Sequence, residues 1–247
     1  MGQALLRVHG LAKGFRSGSE QIPVLADLAL TLNQGESMAL MGRSGSGKST
    51  LLNLLCGLEH PDAGVIDIDG QHFDGSQAHD RRAQSRCWAD LRRQRIGVVF
   101  QDANLMPAMS LLDNVRLRAR LAGQDDLGCL AWLERLGIGA LADRFPDQVS
   151  GGQRQRAALA MVFAMQPALI LADEPTGSLD RHTADDVADE LFRLQAEHGC
   201  ALILATHDAE LAARCGQRLD LAHLSCSAAP SPSSMSSTSP APADRSQ

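Results

Sequence analysis

The chain has 247 residues and 44% hydrophobic content, enough for one α/β domain with a helical insertion and too little for two full domains. Aromatic residues make up only 3%, with no Tyr, and the formal net charge is −6. These values argue against an aromatic face for carbohydrate or nucleic acid and against non-specific binding to a phosphate backbone. The six cysteines form no C-x-x-C pair and no metal-ligand spacing, so reduced thiols are expected. Residues 1–6 hold no long apolar run, cleavage pattern or myristoylation motif, so no secretory leader or lipid anchor is expected. No segment approaches about 18 apolar residues, so no membrane span is expected.

Residues 4–9 and 22–32 alternate in the manner of strands, with a polar loop at 16–21 between them. Together with residues 65–69, ahead of Gly70, they predict an antiparallel layer. The apolar run at 37–41 predicts a buried strand, and residues 49–55, closed by Gly57, a helix. Between them lies Gly42-Arg43-Ser44-Gly45-Ser46-Gly47-Lys48-Ser49-Thr50, in the strand–loop–helix setting of a phosphate-binding loop. Its glycines let successive N–H groups converge on one anion, and the helix N-terminus adds positive potential. Lys48 is the expected cation for the β- and γ-phosphates of ATP, and Ser49 the expected hydroxyl ligand of Mg²⁺.

Residues 71–84 read as a loose polar connection, followed by a helix at 84–94 and a strand at 96–100. A helical region follows, with helices at 113–121 and 127–136, the latter stopped by Gly137. Ser150 precedes a helix at 152–165, and Ser150-Gly151-Gly152-Gln153 there offers a hydroxyl and free N–H groups to an anion or, more plainly, an N-cap. The strand at 168–173 is apolar on both faces, as in the middle of a parallel sheet, and ends in Asp173 and Glu174 where such sheets bind ligands. Asp173 is the candidate Mg²⁺ partner and Glu174 the candidate base for a water attacking the γ-phosphate. A helix at 183–197, a strand at 201–205 and a short helix at 208–214 complete the pattern. Residues 225–247 are dominated by Ser, Pro and Ala, so a disordered tail is expected beyond a domain spanning 1–224.

These motifs, in this order, resemble the nucleotide-binding subunit of ABC transporters over about residues 4–222. The resemblance implies a P-loop α/β core of RecA-like type with a mixed sheet, an antiparallel β layer, and a helical subdomain at about 103–165. It implies an ATPase that works with a transmembrane permease subunit and dimerises head to tail around two ATP molecules. In that arrangement Gln101 contacts Mg²⁺ and the attacking water, and His207 holds the γ-phosphate. Ser150, Gly151, Gly152, Gln153 and Asp180 serve the partner's nucleotide in trans, and Phe15 stacks on adenine. By the residue alone, His207 reads more readily as a structural histidine, promoted by its place one strand beyond Asp173 and Glu174, and a core role for Phe15 stays open. The apolar group Leu105, Met106, Met109, Leu111 and Leu112 falls where the family docks a cytoplasmic helix of its membrane subunit.

Asn104-Leu105-Met106-Pro107 and Asp173-Glu174-Pro175-Thr176-Gly177-Ser178-Leu179-Asp180 are most similar to the lipoprotein-release, macrolide-export and cell-division ATPases. That similarity implies a place on the cytoplasmic face of the inner membrane, without insertion. Three departures stand out: Val149 for the usual Leu, Met161 for a usual Arg, and an end near 222 without the family's Asp-Gly-Arg turn and closing strand. The last puts the final strand pair in question. The alternative is a non-transport ATPase of cell division or DNA maintenance. Repair-type members separate the two motifs by a long coiled coil, and no heptads occur here.

Overall fold

The computed structural model describes residues 4–18, 20–76 and 81–221. Two sheets carry the fold. Strands β1 (Ala4–Ser17), β2 (Glu20–Asn33), β4 (Ala63–Ile68) and β5 (Gln71–Asp74) form an antiparallel sheet in the order β2-β1-β4-β5. Strands β3 (Ser37–Met41), β6 (Ile96–Val99), β7 (Leu169–Asp173), β8 (Ala201–Ala205) and β9 (Gln217–Asp220) form a parallel sheet in the order β6-β7-β8-β3-β9. The expected mixture of strand directions is thus divided between two layers. Helices α1 (Lys48–Leu55), α2 (Arg81–Gln94), α6 (Arg181–His198) and α7 (Ala209–Ala213) belong to this core, and α3 (Leu111–Leu121), α4 (Cys129–Arg135) and α5 (Gly151–Ala164) to the helical region.

Strand alternation splits the apolar residues of β7 and β8 between two cores. Leu169, Leu171, Ala201 and Ile203 pack with α1 and the antiparallel sheet, through residues such as Leu51, Leu54, Leu6 and Ile66. Ile170, Ala172, Leu202 and Leu204 face the helical side, with Val115, Leu133 and Phe163. A central parallel strand must be apolar on both faces for this reason. The sheet is held between its two coverings.

Three local expectations need correction. The polar segment at 16–21 is mostly paired strand, with Phe15 opposite Ile22 and Ser17 opposite Glu20, because the backbone ladder of a hairpin needs no apolar side chains. Residues 71–74 form β5 rather than a loose connection. Asp69 and Gly70 both have positive φ (49° and 77°) between the paired residues Ile68 and Gln71, the two-residue hairpin turn that Asp-Gly favours. Helix α2 starts at Arg81, three residues earlier than expected. In the segment predicted to dock a partner, Leu111 and Leu112 are core residues, Leu105 and Met109 are half-buried, and Met106 is 52% exposed. At the altered end, β9 pairs with β3 and Leu221 is buried. The tail at 225–247 lies outside the described residues.

Candidate functional site

Four neighbouring strands of the parallel sheet deliver the candidate residues. β3 runs into the loop 42–47 and α1, β6 leads to Gln101, β7 ends at Asp173-Glu174, and β8 is followed by His207. Because all four strands point the same way, their carboxyl ends share one edge, where open α/β sheets bind ligands. Phe15 and Val24, from the antiparallel sheet, join Ser44, Gly45, Gly47, Lys48, Ser49, Thr50, Gln101, Asp173 and Glu174 around a cavity of about 470 Å³. Val24 was missed by the sequence reading. Its signal was the hairpin register that sets Ile22 opposite Phe15.

The loop is shaped by backbone that L side chains rarely adopt. Gly42, Gly45 and Gly47 have φ of 146°, 81° and 97°. A Cβ on Gly47 would also lie 2.9 Å from Val24 Cγ1, so the glycine serves close packing as well as the turn. Gly47 caps α1 with no side-chain bond, leaving the first N–H groups of the helix to a ligand. Lys48 is buried at 7% exposure and donates to the carbonyls of Gly42 (2.9 Å) and Arg43 (3.4 Å). Gly42, Arg43 and Ser46 belong to the loop without lining the cavity, and the Ser46 hydroxyl is buried with no partner.

Glu174 is the centre of the charge arrangement. Its Oε1 lies 3.8 Å from Lys48 Nζ and its Oε2 2.9 Å from His207 Nδ1. Its backbone is left-handed (φ 44°), and its N–H donates to the Ala205 carbonyl at 2.9 Å. Such a conformation is rare for a side chain of this size and is held here by the neighbouring strand. The left-handed turn directs the carboxylate between Lys48 and His207. Gln101 sits beside it: a Cβ on Gly177 would lie 3.3 Å from Gln101 Nε2 and 3.4 Å from Glu174 Oε2.

The hydroxyl of Ser49, the amide of Gln101 and the carboxylate of Asp173 line one cavity, and hard oxygen donors of this kind suit Mg²⁺. Next to a glycine loop and a buried lysine, that donor set fits a metal-bound polyphosphate. The remaining candidates lie elsewhere. Ser150, Gly151, Gly152, Gln153 and Asp180 do not line this cavity. Ser150 caps α5 through a reciprocal pair: its Oγ accepts from Gln153 N–H (3.3 Å), and Gln153 Oε1 accepts from Ser150 N–H (2.9 Å). Asp180 caps α6, accepting from the N–H (3.1 Å) and hydroxyl (2.7 Å) of Thr183, which hold its carboxyl below the usual range. The two caps touch: a Cβ on Gly152 would meet Thr183 Cγ2 at 2.2 Å.

The model of the family described as ABC transporter matches residues 25–177. The chain is 43% identical over 221 residues to the Uncharacterized ABC transporter ATP-binding protein YbbA of Escherichia coli (strain K12), covering 88% of this chain and 94% of that one. It is 42% identical over 224 residues to the Lipoprotein-releasing system ATP-binding protein LolD of Bordetella pertussis, covering 89% and 94%. Among solved structures, the dimeric structure of MJ0796, a bacterial ABC transporter cassette, matches with a TM-score of 0.76 and 32% identity over 87% of this chain and 94% of that one. A post-hydrolysis dimer of the same cassette bound to ADP and Pi matches with a TM-score of 0.73 and the same identity, over 87% and 93%.

Proposed function

Since the chain belongs to the ABC transporter family as an ATP-binding subunit, we propose that it hydrolyses ATP to drive a separate membrane subunit in lipoprotein release or a related export step. The observation that carries the hydrolytic part is Glu174 held between Lys48 and His207 at the carboxyl edge of the sheet. ATP enters with its phosphates on the loop and Lys48, displacing the lysine from Glu174. The freed carboxylate takes a proton from water as the water oxygen attacks the γ-phosphorus. The bond from γ-phosphorus to the β,γ-bridging oxygen breaks, leaving ADP and phosphate. His207 donates to the γ-phosphate and Gln101 orients the water. Ser49, Asp173 and Gln101 would hold Mg²⁺, which supplies neutralisation of phosphate charge when bound.

Two copies arranged head to tail bring Ser150, Gly151, Gly152, Gln153 and Asp180 of one to the nucleotide of the other. The separation of these residues from their own chain's cavity supports that reading. A groove of about 330 Å³ between α2, β6, α3 and α5 suits the membrane subunit. Leu58, Ile96, Val98, Phe100, Met161 and Val162 make it apolar, and Arg92 and Arg118 add two cations. Arg118 donates to the Arg92 carbonyl and Met165 Sδ, both at 2.7 Å, and Arg92 to the Cys56 and Gly57 carbonyls, so the bonds that hold them here are to neutral acceptors. A helix with one apolar face and an acidic residue complements such a groove. No helix among the described residues is long and apolar enough to cross a membrane. The subunit works at the cytoplasmic face, held there by its partner.

The test is Glu174→Gln. It keeps the shape and a hydrogen-bonding amide but accepts no proton, so turnover falls about 10²–10⁴-fold. ATP still binds, and the variant accumulates as an ATP-bound dimer in size-exclusion chromatography. A monomeric profile at saturating MgATP overturns the head-to-tail arrangement, and undiminished turnover overturns the role of Glu174.

A further inference from the structure

The sequence holds two lysines among 23 basic residues, Lys13 and Lys48. Lys48 belongs to the phosphate loop, and Lys13 lies outside it in β1. Lys13 stands two residues before Phe15 in β1, and its ammonium lies 5.2 Å from the centroid of the Phe15 ring. The side chain is only 11% exposed. Nζ donates to the His60 carbonyl at 2.7 Å and faces Glu59 at 3.4 Å and Asp62 at 3.8 Å. The same turn grips the neighbouring backbone: Gly14 N–H donates to Asp62 Oδ2 (2.7 Å), and Asp62 N–H to the Ala12 carbonyl (2.9 Å). That turn is fastened in turn to α1, because the N–H groups of Leu58 and Glu59 both donate to the Asn53 carbonyl (2.9 and 3.2 Å). A chain of contacts therefore runs from the ring at the cavity rim to the far end of the helix whose N-terminus shapes the phosphate loop.

We propose that Lys13 is a positioning residue that fixes the Phe15 ring as a shelf for the nucleotide base and sets its distance from the phosphate loop. The inference rests on the reading of the cavity as a nucleotide site. Phe15 is 42% exposed and lines that cavity, while Lys13 does not, so its reach to a bound base runs through the ring. A cation against an aromatic ring holds it by the ring quadrupole and draws π density toward itself. The ring is then pinned, and less electron-rich toward a purine stacked upon it. A half-exposed phenylalanine without that anchor would turn freely and spend binding energy on being ordered.

The experiment is calorimetric titration of the full chain with ATP and with inorganic triphosphate, which has phosphates but no base. Phe15→Ala weakens ATP and leaves triphosphate unchanged. Lys13→Met weakens ATP by about three- to tenfold, the range of a partly desolvated cation–ring contact. It leaves triphosphate affinity and kcat unchanged while KM for ATP rises, and Lys13→Arg restores most of the loss. In the Phe15→Ala background Lys13→Met adds nothing. Equal weakening of ATP and triphosphate, or a full Lys13 effect without the Phe15 ring, overturns the proposal. A normal Phe15 effect beside a silent Lys13→Met overturns the role of Lys13 alone. Unchanged ATP affinity in Phe15→Ala overturns the base shelf itself. Lys13→Gln, with thermal melting as the folding control, provides the same readings should Lys13→Met fail to fold.

Discussion

Lys48 shows how much one side chain must do in this site. Its ammonium is buried, closes the loop on the Gly42 and Arg43 carbonyls, and faces Glu174 at 3.8 Å. Lys48→Ala removes a charge-assisted contact to phosphate worth about 1.5–3 kcal/mol. ATP affinity is expected to fall about tenfold or more, and calorimetry giving equal affinities would falsify the assignment. This residue was legible in the sequence because the loop motif fixes both its type and its register. Lys13 was not, because its partners Glu59 and Asp62 lie two strands and a helix away and only the fold brings them together. Glu174 was legible as a carboxylate at a strand end. Its left-handed backbone was not, since that depends on the Ala205 carbonyl of the next strand.

At the scale of elements, strands and helices read from apolar runs and end signals fell close to their observed places. Misses occurred where the backbone alone decides: the hairpin of β1 and β2 pairs through polar residues, and β5 follows an Asp69-Gly70 turn whose meaning was overlooked. One contact between elements gives a sharp expectation. Helices α5 and α6 meet where Gly152 touches the Thr183 methyl, and Thr183 also fills the cap of Asp180. Gly152→Ala would place a Cβ at 2.2 Å from that methyl, and overpacking of this kind costs about 1–3 kcal/mol. Thr183→Ser removes the methyl but keeps the hydroxyl for Asp180. The double variant should therefore melt near the parent temperature while Gly152→Ala alone melts lower. Equal melting of single and double variants would show that the contact is not what resists the substitution.

For the whole molecule, alkaline stability is carried by thiols. Cys200 and Cys215 are buried, and burial pushes both up to about 11 from an ordinary 9.0. Unfolding exposes them to ionisation at the lower value, so the unfolded chain loses protons first. Stability is full below about pH 9 and declines toward about pH 11. The chain has no tyrosine to titrate there, and burial raises the Cys56 and Cys129 thiols as well. Denaturant midpoints measured across that range should fall for the parent and fall less for Cys200→Ala/Cys215→Ala; parallel declines would remove these two thiols as the cause.

The helical region leaves the sheet after β6 and rejoins it at β7, and those two strands lie side by side, Ile96 against Leu169 and Val99 against Ala172. It leaves at the carboxyl end of β6 and returns at the amino end of β7, so its two attachments lie about 4.8 Å apart across the pair and about 10 Å apart along it. Between those attachments the region shares one core with the sheet, Val115, Leu133 and Phe163 with Ile170, Ala172, Leu202 and Leu204. The Gln155 amide donates to the Phe100 carbonyl at 2.9 Å, so α5 is tied to the segment that follows β6. A load on the apolar groove, which α5 lines with Met161 and Val162, would then pass along that helix to Ser150 at its cap and to the Thr183 contact of Gly152. A push at one end of α5 becomes leverage at the other.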